Sequence, residues 1–159
     1  MIITKKKPKI RRDLKIFLNN KKLQHKDMVK YLGITIDRRF NFNQHIDNLT
    51  GKCIKIIHAL SNSAKINWGL RHDFLRIICT GAILPILSYV ASVWIEGLKR
   101  NHNATKLKRV QRLINIKIAT ACRTTSHEAA CVFIGITLIF IDLRSLVKIY
   151  HNTRGHKQI

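Results

Sequence analysis

A chain of 159 residues, 46% of them hydrophobic, can bury one core and is too short for several full domains. Thirty Lys and Arg against eight Asp and Glu give a formal charge of +22. That argues against a chain indifferent to polyanions, with nucleic acid the first partner it implies and an anionic membrane surface the second. The four cysteines, Cys53, Cys79, Cys122 and Cys131, have no C-x-x-C spacing, and Met1-Ile2-Ile3 runs into Lys5-Lys6-Lys7 with no signal peptide. Reduced thiols acting as small core residues are expected, in a nuclear or cytoplasmic protein that is not secreted.

The first thirty residues carry eleven Lys or Arg and only Asp13 and Asp27 as acids. Lys5-Lys6-Lys7-Pro8-Lys9-Ile10-Arg11-Arg12 reads as a nuclear import address, a phosphate-binding arm, or the solvated start of a strand. Leu14 to Leu18 followed by Asn19-Asn20 predicts a strand and a turn. Met28 to Ile36 predicts a second strand, the two forming one hairpin. Gly33 marks a close approach of backbone or ligand.

From Asn43 the apolar period lengthens. Ile46, Leu49, Cys53, Ile56, Ile57 and Leu60 form a helical stripe that Ser61-Asn62-Ser63 should weaken. Trp68-Gly69 falls in a loop. A second helical region runs from Arg71 to Leu98 and should kink or divide at Pro85. Asn101 to Asn103 read as a connection. A third helix, Ala104 to Cys122, has Leu107, Val110, Leu113 or Ile114, Ile118 and Ala121 on its apolar side. Thr125-Ser126-His127-Glu128 matches a capping box, Gly135 a left-handed stop, and Ile141 to Tyr150 a last helix before a frayed tail from His151.

The eight acids lie at least ten positions apart with no adjacent pair. Two-metal chemistry, which needs converging carboxylates, is therefore not predicted for this chain alone. Asp47 and Asp73 read as first-turn residues that complement helix dipoles, and Asp37 as a strand-end residue. No zinc spacing is present, His151-x4-His156 being the nearest pair. The third helix carries the sharper signal. Lys106, Lys108, Arg109, Arg112 and Lys117, with Arg123 beside them, lie on an acid-free stretch that can follow a phosphate backbone. Arg112 and Arg123 have a second reading, bracing the helix through a buried hydrogen bond. Ile77 to Ile95 is an uncharged run of nineteen residues, the length of a bilayer span, but its Thr80, Gly81, Pro85, Ser88 and Ser92 favour a buried core helix.

Several of these segments, in order, resemble the reverse transcriptases of non-LTR (LINE-type, jockey-like) retrotransposons. They are Lys30-Tyr31-Leu32-Gly33 with Asp37, Phe42 and His45-Ile46; Trp68-Gly69-Leu70; Leu75 to Trp94; Val110-Gln111-Arg112; and Ala121 to Ser126 with Ala129, Val132 and Gly135. The pattern departs from the family at Cys79 and Cys122, where tyrosine is usual, at Val90, where glycine is usual, and at Thr137-Leu138-Ile139, where a proline is expected. The family's Y/F-x-D-D turn is absent, so the resemblance covers the region downstream of the catalytic palm and, with these departures, implies a decayed or truncated copy. It implies that the hairpin holding Lys30, Tyr31 and Gly33 is a primer-grip-like element. It further implies that the helices bind RNA and DNA as template and primer, and that Mg²⁺ serves the parent enzyme outside this chain.

The fold expected is α+β, an N-terminal β-hairpin followed by a mostly α-helical bundle. Residues 1–40 form the basic hairpin, 41–150 the thumb- or connection-like domain, and 151–159 a tail. The function expected is a nucleic-acid-binding fragment of an RNA-directed DNA polymerase without its catalytic centre or N-terminal polymerase portion. The alternatives are a freestanding basic RNA-binding protein of ribosomal type and a membrane-anchored basic protein. No stable membrane association is expected.

Overall fold

The computed structural model describes residues 17–22, 26–66 and 72–155. The basic arm at residues 5–12, the Leu14–Ile16 start of the first strand and the Trp68-Gly69 loop lie outside the described residues. Four short strands come first, β1 (Phe17–Leu18), β2 (Lys21–Lys22), β3 (Met28–Tyr31) and β4 (Ile34–Asp37). They pair as two antiparallel hairpins, β1 with β2 and β3 with β4. One hairpin was expected, with Met28–Ile36 as a single strand. Instead the chain reverses at Leu32-Gly33, whose φ angles of 45° and 81° make a two-residue turn with both central residues left-handed. Asn19 and Asn20 do the same at 48° and 58°. Asn is a familiar residue for such a turn and Leu is not, which hid the second reversal among strand formers.

Asp37 closes β4 by accepting hydrogen bonds at Oδ1 from the Asn41 amide (2.6 Å) and the Phe42 amide (3.5 Å). The chain then enters helix α1 (Asn43–Ile66). Ile46, Leu49, Cys53 and Ile57 are buried, as the stripe predicted. The helix continues through Ser61-Asn62-Ser63, because polar residues of this kind cost only tenths of a kcal/mol each, about 0.5.

The long apolar region is divided as expected, but not at the proline itself. Helix α2 (His72–Ile78) widens into one π-helical turn (Cys79–Ile83) and continues as α3 (Leu84–Ser88), with Pro85 near its start. The wider turn moves the preceding carbonyls away from a proline ring that has no N–H to offer them. The break comes at Tyr89-Val90, and the segments on either side are bent by 54°. Val90 sits at φ 47°, the left-handed region where the resembling pattern has glycine. Helix α4 (Ala91–Trp94) and a 3₁₀ turn (Ile95–Lys99) follow.

Helix α5 (Asn101–Ala119) begins earlier than the sequence suggested. Asn103 belongs to it and is fully buried, donating from Nδ2 to Asn43 Oδ1 (2.9 Å) and to the Gly97 carbonyl (3.0 Å). Helix α6 (His127–Ile134) is capped by Ser126, whose Oγ accepts from the Ala129 amide at 3.1 Å. The capping frame is therefore one residue later than Thr125, and Glu128 is not its third helical residue. Gly135 ends α6 at φ 68° as expected. Helix α7 (Ile139–Gly155) runs beyond Tyr150, so residues 151–155 are helical rather than frayed.

Ile34, Phe42, Ile46, Cys53, Ile83, Leu87, Trp94, Leu107, Val110, Ile114 and Leu143 share one core. It joins the second hairpin to α1, α3, α4, α5 and α7, and the architecture is α+β. No single helix among the described residues is long and apolar enough to cross a membrane. Cys79, Ile83, Leu87, Ala91 and Trp94 of the uncharged run face the core. Cys53, Cys79 and Cys131 are buried free thiols and Cys122 is exposed. Burial pushes the Cys53 thiol up to about 11.

Candidate nucleic-acid interface

The buried stripe of α5 is Asn103, Leu107, Val110, Gln111, Ile114, Asn115 and Ile118. At 3.6 residues per turn, Arg109 points directly away from it. Lys106 and Lys117 border the stripe on one side, and Lys108 and Arg112 on the other. The five cations therefore fan over the solvent half of the helix instead of forming one row. Their neighbours differ accordingly. Lys106 pairs with Asp47 of α1, and Lys108 lies 3.5 Å from Glu128 of α6. Asp47 thus stands in the second turn of α1 and serves an inter-helix pair rather than the helix dipole. Arg109 and Lys117 have no ion pair among the described residues.

Arg112 is a brace. Its Nε and Nη2 each donate to the Thr125 carbonyl at 3.1 Å, and Nη2 also donates to the Arg123 carbonyl. Next to it, Gln111 is buried, donating to the Thr137 carbonyl (2.7 Å) and accepting from the Ile139 amide (3.0 Å). The Gln111-Arg112 pair thus holds both loops that flank α6. Three of the five guanidinium N–H donors are thus directed at backbone carbonyls, and the two on Nη1 remain. The Arg123 side chain is exposed, and only its carbonyl takes part in the brace.

The second hairpin is locked to the helices by three side chains, two from α1 and one from the end of α3. His45 Nδ1 accepts the Thr35 amide proton (3.3 Å), Asn48 Nδ2 donates to Thr35 Oγ1 (3.4 Å), and the Tyr89 hydroxyl donates to the Leu32 carbonyl (3.1 Å). Lys30 pairs with Thr35 across the hairpin, so both project on one face. Lys30, Tyr31 and Gly33 are all exposed. From Asn48 the same surface passes to Lys52 and Lys55, exposed on the outer side of α1. Sequence reasoning did not single out these two lysines, although their place opposite the Ile46–Cys53–Ile57 stripe was readable. Hairpin, α1 and α5 each present exposed cations, and Asp47 of α1 is engaged by Lys106.

Two buried histidines have lowered pKa values. Burial, then Lys52, lowers the His45 pKa, and burial is also the leading cause for His127, with Lys108 and Arg112 adding to it against Glu128. Hydrogen bonding to its own backbone N–H leads the lowering of the Glu128 pKa, with His127 and Lys108 contributing. Among the described residues no three His, Cys, Asp or Glu side chains converge to hold a metal ion.

No family model and no solved structure matches the chain. Curated proteins do. A retrovirus-related Pol polyprotein from type-1 retrotransposable element R1 4 of Nasonia vitripennis is 35% identical over 145 residues, covering 91% of this chain and 36% of that protein. The R1 Pol polyprotein of Bradysia coprophila is 34% identical over 76% of this chain and 12% of its own length. The RNA-directed DNA polymerase from mobile element jockey of Drosophila melanogaster is 26% identical over 64% of this chain and 11% of its own. The chain therefore spans little more than a third, or much less, of the relatives it matches.

Proposed function

We propose that this chain, a homologue of R1- and jockey-type non-LTR retrotransposon Pol polyproteins over most of its length, is a reverse-transcriptase segment that holds the template–primer nucleic acid. The observation that carries this reading is the fan of α5 cations on an acid-free helix, with Lys30, Lys52 and Lys55 exposed on the hairpin and α1. Lys106, Lys108, Arg109, Lys117 and Arg123 meet phosphates, Lys30 and Tyr31 meet the strand beside the hairpin, and Gly33 lets the turn approach it. Such contacts are sequence-tolerant because phosphate carries no base identity. Nucleotidyl transfer belongs to a palm portion outside this chain, where carboxylates hold Mg²⁺, and the complex works in the nucleus or cytoplasm without a membrane.

The test is the salt dependence of binding. Each phosphate neutralised contributes about 0.7–0.9 to the log–log slope of affinity against salt. Replacing Lys106, Arg109 and Lys117 together by Gln should lower affinity and slope alike for unrelated sequences. An unchanged slope would mean that α5 faces away from the nucleic acid.

A further inference from the structure

We propose that the tip of the β3–β4 hairpin and Tyr89 form a stacking shelf for one unpaired base, a role that rests on the nucleic-acid reading above. The first observation is a residue that suits the fold poorly. Leu32 occupies the first central position of the turn at φ 45°, where Asn, Asp or Gly is preferred. It is 70% exposed, so burial within this chain does not offset the unfavourable backbone. A locally unfavourable residue without compensation inside the fold points to a contact outside it.

The second observation is a fixed, uncovered ring. Tyr89 is 53% exposed, yet its hydroxyl is tied to the Leu32 carbonyl (3.1 Å) and its own carbonyl accepts from Trp94 Nε1 (3.1 Å). A Cβ on Gly33 would lie in ordinary contact, 3.6 Å, with Tyr89 Cε1, so the turn sits directly beside the ring edge. A rigid aromatic beside an apolar side chain loses little freedom when a flat, uncharged ring system lies on it.

Charge selects the occupant. Lys30 is exposed in the strand pair next to the turn-closing Tyr31–Ile34 pair, whereas Asp37 pairs with Met28 at the opposite end of the hairpin and is committed to the Asn41 and Phe42 amides. The tip thus offers an apolar ring and a cation without a neighbouring hairpin carboxylate, which suits a base and its phosphate.

The experiment uses the full chain with two probes, a duplex carrying a short overhang with 2-aminopurine and the same duplex with blunt ends. Wild-type protein should prefer the overhang by about fivefold, the lower end of the stacking range per base, and change the 2-aminopurine fluorescence. Tyr89→Leu should abolish the preference and the fluorescence change, and Tyr89→Phe, which keeps the ring, should retain them. Leu32→Asn separates binding from folding: its melting temperature should rise as the turn is relieved, while the overhang preference falls. No overhang preference in the wild type, or an undiminished one in both Tyr89→Leu and Leu32→Asn, would overturn the shelf and leave the broader reading standing. Failure of the wild type to bind either duplex would overturn both.

Discussion

His45 Nδ1 accepts the backbone proton of Thr35 at 3.3 Å, closing the free edge of β4 with a side chain from the first turn of α1. That bond requires an unprotonated Nδ1, so the neutral ring carries its proton on Nε2. The ring is buried and meets Trp94 edge-on with centroids 5.9 Å apart. Protonating Nδ1 would set one N–H against another and release the hairpin edge.

Stability should therefore depend on pH in a defined sense. The folded pKa of His45 lies below its ordinary 6.5, so above that pH neither state takes up the proton and the fold loses nothing. As pH falls through 6.5 toward the folded value, the unfolded chain protonates first and stability declines. His127 is shifted in the same direction. Thermal melts from pH 8 to pH 5 should show this decline. His45→Asn, whose amide oxygen can accept the Thr35 proton, should reduce it and leave the His127 share. A melting temperature independent of pH in the wild type would contradict the assignment.

Arg112 and Arg109 should part company on mutation. Arg112→Gln removes charge-assisted bonds to two carbonyls and should cost roughly 2 kcal/mol of stability, with little change in the salt slope of nucleic-acid binding. Arg109→Gln should lower the slope by about 0.7–0.9 if one phosphate is lost and leave the melting temperature nearly unchanged. Paired melts and salt titrations check both, and a reversed pattern would exchange the two roles.

Val90 offers a test of backbone strain. In an ordinary helix Ala is more stable than Gly by about 0.5–1 kcal/mol. At φ 47° the order should invert, with Val90→Gly more stable than Val90→Ala by roughly 1 kcal/mol, because only glycine occupies this region without strain. Denaturant unfolding of the two variants measures the difference, since both lose the γ-methyl packing of a half-buried valine and differ by one Cβ.

Gly97 carries the opposite constraint, of space rather than angle. A Cβ there would meet the Asn41 carbonyl oxygen at 2.9 Å and Phe42 Cβ at 3.3 Å. Gly97→Ala should therefore cost roughly 1–3 kcal/mol, the range for overpacking against parts that cannot yield. A urea midpoint equal to that of wild type would show that the 41–46 segment gives way.

Much of this protein was written in local order. The three- and four-residue steps of Ile46, Cys53 and Ile57 and of Leu107, Val110 and Ile118 determined α1 and α5, because a helix turns every 3.6 residues whatever it packs against. Gly135 stopped α6 for a reason confined to its own φ. Net charge and the order of motifs pointed to nucleic acid and to the homologues. The roles of the motif residues were not legible in the same way. Arg112 read as a phosphate ligand with bracing as a second reading, and its carbonyl acceptors, 11 and 13 residues away, were not visible in the sequence. Lys106 read as one more cation until Asp47, 59 residues distant, came to meet it. Tyr89 and Leu32, 57 residues apart, carried no sign of each other. Periodicity reports which face of an element is apolar. Which elements then share that face, and hence which donor finds which acceptor, is decided only when the whole core closes around Trp94.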